Sequence, residues 1–249
     1  MILDWNPRGS GDITGSYAGT ERTIDGQQVF VYDKESDNST ATTTALELTA
    51  TGLHVTHIGG SGDTTALRLV MSSTLFPNMD KALGSVCVTA SFTVASLNNT
   101  SSNITLALEQ EPRGDTPNTD HVQYDVWAQA YRQSSSDWRV RGVRSTGSSA
   151  QSIVNYGADS LSGVEPSAVR LTLYGSNWSF FGGGDVIAGP GLFQGVGLGS
   201  NQLRLINAHG SGVTDHQGVS YPIVAIMFGR GESTAVDVTL TNLRVWTYG

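Results

Sequence analysis

The stretch AVDVTLTNLRVWTY, residues 235–248, decides the fold class. Val236, Val238 and Leu240 alternate with Asp237, Thr239 and Thr241, and the apolar phase resumes one step late at Leu243 and Val245. Period-two alternation turns one set of side chains to a core and the other to water, and a one-residue slip within it is the signature of a β-bulge. The spacing therefore predicts one long, bulged strand. Upstream, Val169, Leu171 and Leu173 alternate with Arg170, Thr172 and Tyr174. That run breaks at Gly175, Ser176 and Asn177, and Trp178, Ser179, Phe180 and Phe181 then lead into Gly182, Gly183, Gly184, Asp185, Val186 and Ile187. Half-buried strands joined by Gly/Asn turns read this way, and they pair antiparallel.

The same reading places strands at residues 28–32, 65–71, 85–95, 103–110, 121–132, 138–144, 202–206 and 223–228, and at 45–50 and 53–58 around a two-residue Thr51-Gly52 turn. About a dozen strands result, too many for one open sheet without curling or splitting into two packed layers. Helix is scarce: residues 77–83 offer one turn or two at most. No internal repeat is visible. We expect an all-β chain, a two-layer antiparallel sandwich over residues 41–249, preceded by an extended segment at 1–40. In that segment Ile2, Leu3, Trp5, Ile13, Tyr17 and Ile24 are scattered among Gly and Asp, too irregular for a core and more apolar than a solvated tail needs, so we read it as an arm that docks on a neighbour.

Composition narrows the partners. The 249 residues include 30 glycines, only 14% are charged, and the formal net charge is −8. An acidic chain whose only lysines are Lys34 and Lys81 repels phosphate backbones, so neither nucleic acid nor an anionic membrane is an expected ligand. No stretch approaches a membrane span, and the first residues lack a basic and apolar leader, which points to folding in a cytosol. Cys87 is the single cysteine, which excludes an internal disulfide. It shares its phase with Thr89, Ser91 and Thr93, opposite Val86, Val88, Ala90 and Phe92.

The order of strand, Gly/Asn turn, aromatic strand, Gly-Gly-Gly-Asp and a final Asp-Val-Thr-Leu-Thr-Asn-Leu-Arg-Val strand resembles the concanavalin A-like lectin/glucanase superfamily, including laminin G-like domains. The resemblance covers roughly residues 169–248. It implies a jelly-roll sandwich in which these segments are adjacent and the terminal strand returns to the middle of a sheet. It implies no single activity, because that fold carries lectins, hydrolases, lyases and structural modules.

The candidate binding face is on the strand at 121–131. Val122, Tyr124, Val126, Ala128 and Ala130 fall on one side, and His121, Gln123, Asp125, Trp127, Gln129 and Tyr131 on the other. Aromatic rings stack on sugar faces while amides, carboxylates and imidazoles satisfy hydroxyls, so the second side suits a glycan, and Trp138 would extend it. In the resembling family, glycan clefts of the glucanase type lie on such a concave sheet face. For catalysis the only serious pair is Glu109 and Glu111, about 7 Å apart on one face of a strand. Glucanases of the superfamily carry Glu-x-Asp-x-x-Glu on one strand. Here the run is Glu-Gln-Glu-Pro-Arg-Gly-Asp from Glu109, without the third acid, so no catalytic residue is assigned and endo-acting hydrolysis stays the alternative.

No cofactor and no transition-metal site is expected. His54 and His57 point to opposite faces of a regular strand, and only a loop calcium ion on Asp12, Asp25, Asp63, Asp185 or Asp215, all in Gly-flanked loops, has suitable oxygens. Two function classes fit. One is a structural protein of a virus particle, a bacteriophage tail, fibre or capsid-surface component that contacts other virion proteins, copies of itself and a host-surface glycan. The other is a free carbohydrate-binding module or glycoside hydrolase.

Overall fold

The structure, a computed structural model, describes residues 3–13, 20–33, 43–58, 67–71, 85–97, 102–109, 124–134, 137–145, 153–160, 167–176, 179–188, 204–207, 223–228 and 235–248. These contain seventeen strands and no helix. In chain order they are β1 (Leu3–Trp5), β2 (Gly11–Asp12), β3 (Thr20–Ile24), β4 (Gln27–Asp33), β5 (Thr43–Leu48) and β6 (Leu53–Ile58). Next come β7 (Leu67–Met71), β8 (Ser85–Leu97), β9 (Asn103–Glu109), β10 (Tyr124–Ser134), β11 (Asp137–Ser145) and β12 (Ile153–Ser160). The series ends with β13 (Ala168–Ser176), β14 (Ser179–Ala188), β15 (Arg204–Asn207), β16 (Ile223–Phe228) and β17 (Ala235–Tyr248).

Two antiparallel sheets form a sandwich. A nine-stranded sheet runs β15-β14-β13-β8-β17-β6-β5-β2, with β1 also on β17, and an eight-stranded sheet runs β12-β11-β10-β9-β16-β7-β4-β3. The terminal strand lies mid-sheet between β8 and β6, and β13 and β14 are neighbours, as the jelly-roll resemblance implies. The expected bulge is present: the register of β17 on β8 skips Thr241 between Leu240 and Asn242. Thr241 Oγ1 donates to the Ser91 carbonyl at 3.0 Å, so the extra residue is bonded by its side chain. Val88, Ala90 and Phe92 are buried beneath half-buried Cys87, as their phase requires, and burial pushes the Cys87 thiol pKa up. Phe92 of one sheet meets Phe228 of the other edge-to-face, with centroids 6.0 Å apart at 82°, the favoured geometry for an aromatic pair.

The first forty residues differ from expectation. Their described parts are not an extended arm but four strands built into both sheets, and Trp5, Ile24, Val29 and Val31 lie in the core. Leu3, Asp4 and Trp5 pair with Val245, Arg244 and Leu243 on the stretch of β17 beyond the end of β6. The chain then passes the tip of the β5–β6 hairpin and returns along β5, where the Ile13 amide donates to the Leu46 carbonyl at 2.8 Å. Asp4 Oδ1 accepts from Asn242 Nδ2 at 2.8 Å and from Arg244 Nε at 3.1 Å. Those two bonds, Asn242 first, hold its carboxyl below the usual carboxylate range. Irregular apolar spacing here reflects short strands divided between two sheets and not a free segment.

Two turns carry the hairpins. Between β3 and β4, Asp25 (φ 46°) and Gly26 (φ 75°) form a two-residue connection closed by the Ile24–Gln27 pair. Two successive positive φ values match the twist of the flanking strands, and Asp-Gly is the residue pair that tolerates them. That dipeptide is the sequence signal for the β3–β4 hairpin. Between β5 and β6 the connection has four residues instead of two, since Leu48–Leu53 is the last pair. Thr49 organises it: its Oγ1 donates to the Gly52 carbonyl at 2.8 Å and accepts from the Gly52 amide at 3.2 Å. The helical turn expected at 77–83 lies outside the described residues.

Candidate functional site

The site grows from β9 and β10. Their register puts Ala130 opposite Ile104 and Ala128 opposite Leu106, and all four are buried in the core. The intervening pairs, Tyr131–Asn103, Gln129–Thr105 and Trp127–Ala107, occupy the other face of the eight-stranded sheet, because directly opposed residues of antiparallel strands share a side. The alternation in NITLALE, residues 103–109, made this readable for Asn103 and Thr105.

This second face is polar and closed at its centre. Gln129 Nε2 donates to Thr105 Oγ1 at 3.0 Å, and Thr105 Oγ1 donates to Asn103 Oδ1 at 3.1 Å. Asn103, Thr105 and Gln129 are 4%, 0% and 4% exposed, and Tyr131 is 7% exposed. Polar groups removed from water must be bonded, and a directed chain of hydroxyl and amide bonds meets that demand while fixing the rotamers. Thr105→Val removes the central hydroxyl at nearly constant volume and takes one partner from each amide. It is expected to cost about 1–3 kcal/mol in urea unfolding, with Thr105→Ser nearer the wild type.

The proposed binding residues are therefore divided. Gln129 and Tyr131 share a face but are buried, so they are not open contact residues. Trp138 is on the opposite side: it pairs with Arg132, is 3% exposed and belongs to the core. The short β10–β11 connection sets that register, and the register sends Trp138 inward and not onto the platform. Arg132 ties the sandwich rim, donating from Nη1 to the Leu97 carbonyl of β8 at 2.9 Å and from Nε to the Ser134 carbonyl at 3.2 Å. Asp125 falls at a bulge, since Tyr124 pairs with Glu109 and Val126 with Leu108. The bulge brings Tyr124 into the row of Glu109 and Ile223, so the phase that grouped Tyr124 with Val126 and His121 and Gln123 with Trp127 ends there. His121, Gln123 and Glu111, and the side chains of Asp125 and Trp127, lie outside the described parts.

No metal centre is built from what is described: among the described residues no group of three His, Cys, Asp or Glu side chains could hold an ion. Asp12 is in β2, Asp25 is in the β3–β4 turn, and Asp185 is in β14 opposite Arg170 instead of in a loop. Asp63 and Asp215 lie outside the described residues. His54 Nε2 meets Asp237 Oδ1 at 2.8 Å on the outer side of the nine-stranded sheet, with both side chains part-exposed. Its strand neighbour His57 is in register with Val236, one of the buried positions.

No family model and no curated protein matches the sequence. Solved structures do match. The carbohydrate recognition domain of Emp46p, in its potassium-bound form, superposes with a TM-score of 0.50 at 9% identity, covering 88% of this chain and 88% of that one. A legume lectin-like domain from Entamoeba histolytica gives 0.47 at 8%, covering 84% and 90%. The CBM2 module of the evolved Dit of Lactobacillus casei BL23 phage J-1 gives 0.44 at 10%, covering 78% and 76%. At such identities the likeness concerns the backbone alone. With its terminal strand mid-sheet and its two antiparallel layers, the chain has the concanavalin A-like lectin fold.

Proposed function

We propose that this chain is a lectin-like, glycan-binding structural component of a virus particle, in the class of bacteriophage tail, fibre or capsid-surface proteins. The observation that carries the binding reading is the polar strip of Asn103, Thr105 and Gln129 on the outer side of the eight-stranded sheet, in line with the register position of Trp127. The strip makes β9 and β10 a stiff floor, and the glycan is held at the Tyr124–Trp127 end, past the closed centre. The virion reading rests on composition: an acidic chain with one cysteine and abundant Gly, Ser and Thr suits a particle assembled without disulfides from copies of itself and other virion proteins.

A glycan array followed by titration tests the binding half. Trp127→Ala is expected to weaken the best ligand about tenfold, the loss of one stacking contact, with an unchanged melting curve. An equal loss of melting temperature in Trp127→Ala and Val126→Asp would mean that both sides of β10 are structural and would end this reading. Release of reducing ends, lost in Glu109→Gln or Glu111→Gln, would replace binding by hydrolysis. Light scattering tests the assembly half, and a monomer at high concentration would favour a free-standing lectin.

A further inference from the structure

β3 ends the eight-stranded sheet: β4 pairs with it on one side and, among the described strands, none on the other. Its register with β4 runs unbroken from Thr20–Val31 to Ile24–Gln27, so no bulge bends it away, and it holds neither proline nor lysine. The two-residue turn decides which backbone groups are already used. Its closing pair, Ile24 and Gln27, exchanges both N–H···O=C bonds, and so does every second pair after it, Arg22–Val29 and Thr20–Val31. The N–H and C=O groups of Glu21 and Thr23 therefore point away from β4. Among the described residues neither has a backbone partner on that side. The side chains follow the same alternation. Ile24 is buried in the core and half-buried Arg22 shares its side, whereas Glu21 and Thr23 are exposed on the outer side, where Gln28 Nε2 donates to Glu21 Oε1.

An added antiparallel strand bonds such an edge only at the residues whose groups point outward. Two copies of β3 can then meet about a two-fold axis in registers centred on Glu21, on Arg22 or on Thr23. The first sets Glu21 against Glu21, the second Arg22 against Arg22, and the third Glu21 against Asp25. Like charges directly opposed across a ladder destabilise it, so every one of these registers repels the copy. The same charges attract a strand of the opposite pattern. We propose that β3 accepts an added strand from another polypeptide, an extended segment with a cationic residue opposite Glu21 and, beside it, a carboxylate opposite Arg22. Main-chain bonds to Glu21 and Thr23 hold the segment in line, while the alternating charges select it and fix its register. The added strand lengthens the eight-stranded sheet and covers an edge that would otherwise template aggregation. β16, β7 and β4 separate this edge from β9 and β10, so it stands without the glycan reading.

The probe is the end-blocked peptide Val-Thr-Glu-Lys-Val, which puts its Lys opposite Glu21 and its Glu opposite Arg22 when it runs antiparallel to β3. Titrated into the isotope-labelled full chain, it is expected to move the Glu21 and Thr23 amide resonances together and saturably. The charge-exchanged peptide Val-Thr-Lys-Glu-Val should need a concentration about tenfold higher. A peptide N-methylated at its Thr and Lys lacks both donors and should leave the two amides where they are. Thr23→Pro removes an outward N–H at an edge position that tolerates proline, and should abolish the shift at Glu21, while Thr23→Val keeps it. If Thr23→Pro does not fold, the N-methylated peptide makes the same comparison. Unmoved amides, or an equal response to the charge-exchanged or the N-methylated peptide, overturn the proposal. Shifts of these amides that grow with protein concentration in the absence of peptide would assign the edge to a second copy of the chain and overturn it equally.

Discussion

Replacing Gly52 with Ala is expected to lower the unfolding free energy by roughly 3–5 kcal/mol, read from the urea midpoint at unchanged slope. Gly52 has a φ of 156°, and a Cβ there would lie 2.3 Å from the Leu240 carbonyl oxygen and 2.8 Å from Thr239 Cγ2. The first obstacle is backbone, held by the β17 ladder on both sides, so it cannot swing aside as a long side chain would. Strain at a glycine-only conformation and overpacking against a fixed strand act together, and their sum is a large part of a normal domain's stability. Gly9→Ala is the contrast. Its Cβ would meet Leu48 Cδ1 at 3.3 Å, the end of a flexible side chain, without a left-handed φ. It should stay within about 1 kcal/mol of the wild type. Similar losses in both variants would show that the hairpin tip does not press on the bulge of β17.

Trp5→Ala is the other large effect, expected at about 3–5 kcal/mol in the same measurement. Trp5 is 2% exposed and pairs with Leu243 in the nine-stranded sheet, while its Nε1 donates to the Ile24 carbonyl at 2.9 Å. Ile24 closes the β3–β4 hairpin of the other sheet, so one indole bridges both layers at the start of the chain. Trp5→Phe keeps most of the apolar volume and removes the donor, and it should cost roughly 1–3 kcal/mol. A Trp5→Ala chain as stable as the wild type would restore the first residues to the role of a detachable arm. The structure commits them to the fold, so any docking on a neighbour needs other surfaces or a cost in stability.

Much of this architecture is local, and local patterns are legible. Residues 235–248 and 169–174 predict their strands and the bulge at Thr241, and the phase of Cys87 predicts its outward side, because the pleat alternates strictly whatever a strand packs against. The Asp25-Gly26 turn is equally legible, since that dipeptide tolerates two successive positive φ values. What alternation cannot tell is whether an outward face meets water. Gln129 and Tyr131 fall in the predicted phase, yet they are buried around a hydrogen-bonded strip whose other members, Asn103 and Thr105, come from a strand more than twenty residues upstream.

Strand class, the phase of the long central strands and the two-layer count are written locally, since each follows from the backbone period and from apolar area that one sheet could not hide. Long-range pairing alone turns Trp138 to the core, puts Asp125 in a bulge and lets Leu3–Trp5 complete a sheet beside Leu243–Val245. Those outcomes depend on register between strands far apart in the chain. A slip of one residue there exchanges the buried and exposed sides without altering any local preference.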